Sequence, residues 1–352
     1  MIRFALVGCG RIAQRHSEIL GERKVEGARL EAVCDLEISK AKLIGDRYNV
    51  PYFTNVHEMA AKTAVDVFVV LTESGNHARD VLSLVKYKKH IIVEKPMALR
   101  IEDADNMIRA CEEAGIKLFV VKQNRFNLPV RQLRKALDEG RFGRIILGTV
   151  RVRWSRDEKY YRQANWRGTW SLDGGVLANQ ASHHVDLLTW MLGEVEEVTA
   201  RATTASVKIE AEDTAIAIMR FKSGALGVIE ATTAVRPTDL EGSLSVIGEN
   251  GVAEIAGFAV NKLKTWQFND ANEDQSILST FSENPPNVYG FGHQSYYEHV
   301  MDCLTKSAEP RVNGKEGRKS LELLSAIYSS IASKNSENLK HHTPHPHLGM
   351  GR

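Results

Sequence analysis

Short apolar runs punctuate the first third of the chain at 2–7 (IRFALV), 29–34 (RLEAVC), 65–71 (VDVFVVL), 90–93 (HIIV) and 117–122 (KLFVVK). Each is rich in β-branched residues, and the stretches between them carry apolar positions at helical spacing. Such alternation predicts a parallel sheet with helices on both faces. After residue 143 the pattern becomes strand-like runs at 145–154, 195–204, 213–221, 225–234, 243–248 and 252–256, with few helical segments between them. Among these, SVIGENGVA reads as a hairpin about Glu249-Asn250-Gly251. One helical exception is GGVLANQASHHVDLL at 174–188. Read as a helix, it stacks Asn179, His183 and Asp186 at i, i+4 and i+7 on one face, turns His184 aside and fills the rest with aliphatic residues.

A chain of 352 residues is long enough for two cores, and the patterns divide it into 1–123 and 124–352. A formal charge of +2 is too small for a protein that wraps nucleic acid. No apolar run approaches the roughly 20 residues that span a bilayer, and the apolar opening stops at Gly8 before RIAQRH, so neither membrane span nor signal peptide is expected. Cys9, Cys34, Cys111 and Cys303 lie far apart with no C-x-x-C, which reads as reduced, core or near-core thiols of a cytoplasmic protein.

Between the first two strands lies Gly8-Cys9-Gly10-Arg11-Ile12-Ala13, a G-x-G-x-x-A turn opening a helix. Gly8 permits the tight turn, Gly10 lets a pyrophosphate reach the backbone, and small Ala13 lets helix and strand pack closely. Asp35 ends the second strand about 20 residues on, where an acid accepts the ribose hydroxyls and repels a 2′-phosphate, favouring NAD over NADP. The expected fold of this part is an α/β Rossmann domain with a doubly wound parallel sheet. The fourth strand runs into Glu94-Lys95-Pro96, so Lys95 stands where a parallel strand opens onto the ligand crevice.

Together GCGRIAQRH, TESGNH (72–77), VEKPMAL (93–99), the helix with Asn179, His183 and Asp186, and GKEGRKSLELLSAIYSS (314–330) resemble the glucose-fructose oxidoreductase, inositol dehydrogenase and MocA (Gfo/Idh/MocA) family. The resemblance covers nearly the whole chain. It implies a second, α+β domain with a large open, mainly antiparallel sheet whose free face makes a subunit contact in a homo-oligomer, dimer or tetramer. It also implies that Arg11, Ile12, Thr72, His77, Glu94, Lys95 and Gln123 join Gly8, Gly10 and Asp35 in holding NAD. KQNRFN (122–127) and WRGTWSLDGG (166–175) are similar to a sugar-nucleotide branch of the family. That branch oxidises UDP-N-acetyl-2-amino-2-deoxyglucuronate at C3 for surface polysaccharide such as lipopolysaccharide O-antigen. A free polyol or simple sugar is the alternative substrate, and a dinucleotide-sensing regulator without turnover is the alternative of another class.

Oxidation of a secondary alcohol needs a base for the hydroxyl proton while hydride leaves for the nicotinamide. His183 suits the first task, and a charged Lys95 would stabilise the alkoxide. Many members of the family carry aspartate where this chain has Asn179, and an amide fixes geometry but relays no proton. A metal at this stripe lacks ligands, since one helix offers only His183 and Asp186 and no second ligand cluster is evident in the sequence. A buried polar cluster tying helix to sheet is the structural alternative, and it fits Asp186. RVRWSRDEKYYRQANWRGTW (151–170) combines five arginines with aromatic residues suited to a uronate, a pyrophosphate and a uracil ring. Arg125, Asn127, Tyr161, Arg167 and Gln180 are the expected substrate contacts beside Lys95, Asn179 and His183. Gly292-His293-Gln294-Ser295-Tyr296-Tyr297 begins a late helix that offers one further contact or a cap, and the histidines of the proline-containing tail receive no function.

Overall fold

The computed structural model describes residues 1–269, 276–282 and 290–350. Six strands form the first sheet: β1 (Ile2–Val7), β2 (Ala28–Cys34), β3 (Tyr52–Phe53), β4 (Val67–Val70), β5 (His90–Val93) and β6 (Leu118–Val120). Their order is β3-β2-β1-β4-β5-β6, and every pairing is parallel. Val67 to Val70 and Ile91 to Val93 are buried throughout, as strands covered on both faces must be. The connecting helices are α1 (Ala13–Gly21), α2 (Ile38–Tyr48), α3 (Val56–Lys62), α4 (His77–Leu84) and α5 (Ile101–Glu113).

After α6 (Leu128–Asp138), an eight-stranded sheet follows the order β13-β12-β11-β7-β10-β9-β8-β14. Its strands are β7 (Ile145–Arg153), β8 (Val195–Thr203), β9 (Thr214–Phe221), β10 (Leu226–Thr232), β11 (Glu241–Gly248), β12 (Gly251–Ala256), β13 (Lys262–Phe268) and β14 (Glu337–Asn338). Only β7 and β10 pair in parallel. The hairpin expected about Glu249-Asn250-Gly251 joins β11 and β12, whereas β13 was not anticipated. Two short helices, α7 (Glu158–Tyr161) and α9 (Ser276–Thr280), interrupt these strands; α8 (Ser182–Leu192) packs on β7 and β11; α10 (Gly292–Thr305) and α11 (Gly314–Ser333) come late in the chain. No described helix is long and apolar enough to cross a membrane.

The chain divides into two compact units, Met1–Lys122 with His293–Arg318, and Gln123–Gly292 with Lys319–Arg352. A single cut between 123 and 124 therefore misses a return. Tyr297 of α10 packs edge-on to Phe4 of β1 with centroids 5.6 Å apart, in keeping with the place of His293–Arg318 in the first unit. The helix expected over 174–188 also begins late, at Ser182, so Asn179 and Gln180 sit in the irregular turn before α8. Gly174 in that turn has a φ of +77°, outside any helical conformation.

Candidate active site

In the first unit β1 ends at Gly8, whose φ is +99° and whose place a Cβ could not share, since it would lie 2.8 Å from the Leu71 backbone. Gly10 has open space above it, with nothing within 4 Å of a built Cβ, and α1 then starts with no side chain capping it. A bare backbone followed by an uncapped helix start is a fit for a pyrophosphate. Exposed Arg11 and half-buried Ile12 lie between them. Asp35 follows β2 and is held beside the turn: Oδ2 accepts the Cys9 amide at 2.7 Å and Oδ1 the Glu37 amide at 2.8 Å. The four cysteines are buried and outside any disulfide, and burial pushes the Cys9 thiol up to about 12.

Around Lys95 the predicted cofactor residues are held by contacts within the first unit. Thr72 donates to Asp80 at 2.7 Å. The buried His77 ring lies 2.8 Å from the Pro96 carbonyl and 3.0 Å from that of Thr72, tying the end of β4 to the turn after β5. Burial lowers the pKa of His77. Glu94 is buried too: Oε2 accepts the Lys95 amide at 2.9 Å, while Oε1 lies 3.0 Å from His16 Nε2 and 3.9 Å from His293 Nε2. The other His16 nitrogen is 2.6 Å from the Tyr297 hydroxyl. If Tyr297 donates to Nδ1, Nε2 carries the proton given to Glu94, and one tautomer serves both bonds. Burial opposes the charge on Glu94, but the hydrogen bond from His16 and the nearby His293 ring win and hold its carboxyl well below the ordinary range.

His16, Glu94 and His293 offer three ligand atoms within 4.8 Å of one another, a cluster the sequence reading did not find because His293 returns from a distant helix. Their short contacts are those of a hydrogen-bonded network, and three buried ligands fall short of the four of a structural zinc site.

In the second unit His183 occupies the first turn of α8, with Nε2 2.8 Å from Gln123 Nε2. Gln123, predicted at the cofactor, is thus a neighbour of His183; its Oε1 and that of Gln180 are buried without a hydrogen-bond partner among the described residues. Asn179 donates to Asp173 at 2.6 Å, and Asp173 also accepts the Gly168 amide at 2.7 Å. A carboxylate therefore backs the Asn179 amide. The expected stripe does not hold as one face, because Asn179 precedes the helix.

Several expected substrate contacts have partners within the second unit. Arg125 makes two bonds of 2.8 Å to Asp186 and lies over Trp190. Asn127 donates to the Ala259 and Val260 carbonyls at 3.2 and 3.4 Å. Tyr161 is buried against Thr233, and burial raises its pKa. Its neighbour Tyr160 is the better placed ring: Arg167 lies over it at 4.4 Å and over Trp166 at 4.8 Å, and Arg167 and Gln180 both donate to the Tyr160 hydroxyl. Arg167 Nε is buried with no partner among the described residues. Together Arg167, Tyr160, Trp166 and Gln180 present a cationic fork and aromatic faces.

Residues 2–122 match the family model described as oxidoreductase family, NAD-binding Rossmann fold, and residues 134–339 match its C-terminal alpha/beta domain. The WlbA dehydrogenase of Bordetella pertussis, solved in complex with NADH and UDP-GlcNAcA, is 41% identical over 96% of this chain and 97% of that one, with a TM-score of 0.92. Its counterpart from Chromobacterium violaceum, solved with the same two molecules, is 40% identical over 96% and 95%, with a TM-score of 0.89. Myo-inositol 2-dehydrogenase of Thermotoga maritima is 29% identical over 96% of this chain and 99% of its own. With matched models over both halves and a glycine turn, acid and uncapped helix that suit a dinucleotide, the chain belongs to the Gfo/Idh/MocA oxidoreductase family and is an NAD-dependent dehydrogenase.

Proposed function

We propose that this enzyme oxidises the C3 hydroxyl of UDP-N-acetyl-2-amino-2-deoxyglucuronate to the 3-keto sugar, as a step toward a surface polysaccharide such as lipopolysaccharide O-antigen. The observation that carries the reading is the full-length likeness to two dehydrogenases solved with NADH and UDP-GlcNAcA. NAD, when bound, supplies the hydride acceptor. His183 takes the hydroxyl proton, with Gln123 orienting its ring, and Lys95 stabilises the alkoxide as negative charge develops. Asn179, held by Asp173, hydrogen-bonds rather than relays. Arg167 meets the uronate carboxylate, and Tyr160 and Trp166 cover a ring of the ligand. The enzyme works in the cytoplasm, where thiols such as its four buried cysteines stay reduced.

A homo-oligomer completes the proposal. Gly148 of β7 is pressed against Leu188 and Leu192 of α8, so alternation puts Leu147 on the opposite face. There the register aligns Leu147 with Leu226 and Ile247, and Val228 with Ile218, which is 58% exposed. A contiguous apolar patch of this kind is suited to a second copy of the same sheet.

Oxidation of a free polyol is the second reading, favoured by the likeness to myo-inositol 2-dehydrogenase. Single-turnover absorbance at the reduced-nicotinamide band separates the two. The UDP-linked uronate is expected to give a burst that myo-inositol does not, and the reverse result transfers the enzyme to the polyols. His183→Asn is expected to slow turnover by about 10²–10⁴-fold with NAD affinity unchanged. Unchanged behaviour would instead describe a sensor.

A further inference from the structure

Four consecutive backbone amides in front of α8 are captured by two residues from elsewhere in the second unit, three by side-chain oxygens and one by a main-chain carbonyl. The Gly175 and Ala178 amides donate to the Tyr328 hydroxyl oxygen at 3.3 and 3.2 Å. The Val176 amide donates to the Glu212 carbonyl at 2.9 Å, and the Leu177 amide to Glu212 Oε1, also at 2.9 Å. Tyr328 closes the set by donating its hydroxyl proton to Glu212 Oε1 at 2.9 Å. Gly175 admits no side chain, since a Cβ would lie 2.1 Å from Glu212 Oε2 and 2.3 Å from the Glu212 carbonyl oxygen. Glu212 and Tyr328 are both buried, and neither serves the chemistry described above.

These amides belong to the turn that delivers Asn179, Gln180 and the first turn of α8. Without helical or sheet partners of their own, their conformation is dictated by Tyr328 and Glu212. We propose that Glu212 and Tyr328 are a pair of positioning residues that fix the 174–178 turn, and through it the placement of Asn179, Gln180 and His183 on the substrate. This rests on the proposed dehydrogenase reading for what the turn serves, but not for the contacts themselves. Both oxygen acceptors are needed. A phenylalanine at 328 orphans two buried amides and removes a donor to Glu212, whereas a glutamine at 212 keeps an acceptor for Leu177 and for Tyr328.

Hydrogen exchange followed by mass spectrometry on the full chain tests the clamp directly, and kinetics test its consequence. In the parent, peptides covering 174–181 are expected to exchange slowly. In Tyr328→Phe and Glu212→Ala their exchange should rise at least about tenfold, while peptides from 2–122 stay unchanged and NAD still binds. The same two variants should lose about 10–100-fold in kcat, with a smaller change in KM, and Glu212→Gln should recover most of that loss. Parent-like exchange over 174–181 in Tyr328→Phe, or kcat within twofold of the parent in both Tyr328→Phe and Glu212→Ala, overturns the proposal. A parent inactive on the UDP-linked uronate but with a protected turn overturns the substrate reading alone.

Discussion

Arg125 and Asp186 meet through two contacts of 2.8 Å in a setting that leaves their side chains 5% and 2% exposed. A charge pair so thoroughly removed from water punishes the loss of either partner, because the survivor remains buried and uncompensated. Arg125→Met is therefore expected to lower unfolding free energy by about 3–5 kcal/mol in urea titration. Adding Asp186→Leu should recover most of it. An Arg125→Met enzyme of parental stability but raised KM would return Arg125 to the substrate. The pair also shows what single residues disclose in sequence. Gly8, Gly10 and Asp35 were legible because a dinucleotide turn constrains them within one strand-turn-helix unit. The pairing of Arg125 with Asp186 was not legible, because the partners lie 61 positions apart. Tyr161 and Tyr160 were indistinguishable by type; only burial against Thr233 separates them.

At the scale of elements, the turn before α8 depends on a carboxyl group that titrates unusually. Burial, with Asp173 nearby, pushes Glu212 up to about 7, from an ordinary value of 4.5. A carboxyl whose folded pKa is raised binds its proton more tightly in the native state. Its contribution to stability is complete below the unfolded value and is lost as pH rises through about 7. The loss approaches about 3 kcal/mol across that window. Glu212→Gln, neutral at every pH, should escape it. Thermal melting from pH 5 to 8 is expected to show the variant gaining on the parent as pH rises, and parallel curves would mean that Glu212 is already ionised at pH 5. Most strands of both sheets were legible because their apolar periods are local, whereas β3, β13 and β14 were not anticipated. The late start of α8 was not, since GGVLANQASHHVDLL has helical spacing throughout and only Glu212 and Tyr328 pull the amides of 175–178 out of register. Glu212, in AEDT, carries no motif that would have marked it.

Across the whole molecule, the chain forms two compact units and passes between them more than once. That return was hidden from the sequence because α10 has helical spacing wherever it docks, and the packing of Tyr297 on Phe4 is what assigns it. The exposed apolar rows of the eight-stranded sheet are what support the proposed homo-oligomer. Ile218→Asp is expected to shift the protein to a smaller species in light scattering while leaving its melting transition cooperative. An unchanged mass would place the interface elsewhere. The central proposal is that Lys95 and His183 act on a single hydroxyl. A crystal structure with NAD and UDP-N-acetyl-2-amino-2-deoxyglucuronate tests it most directly. Lys95 Nζ and a ring nitrogen of His183 are each expected within about 3 Å of the C3 oxygen, with C3 facing the nicotinamide at about 3.5 Å. A bound sugar whose C3 hydroxyl touches neither nitrogen, or only one, would contradict the proposed chemistry.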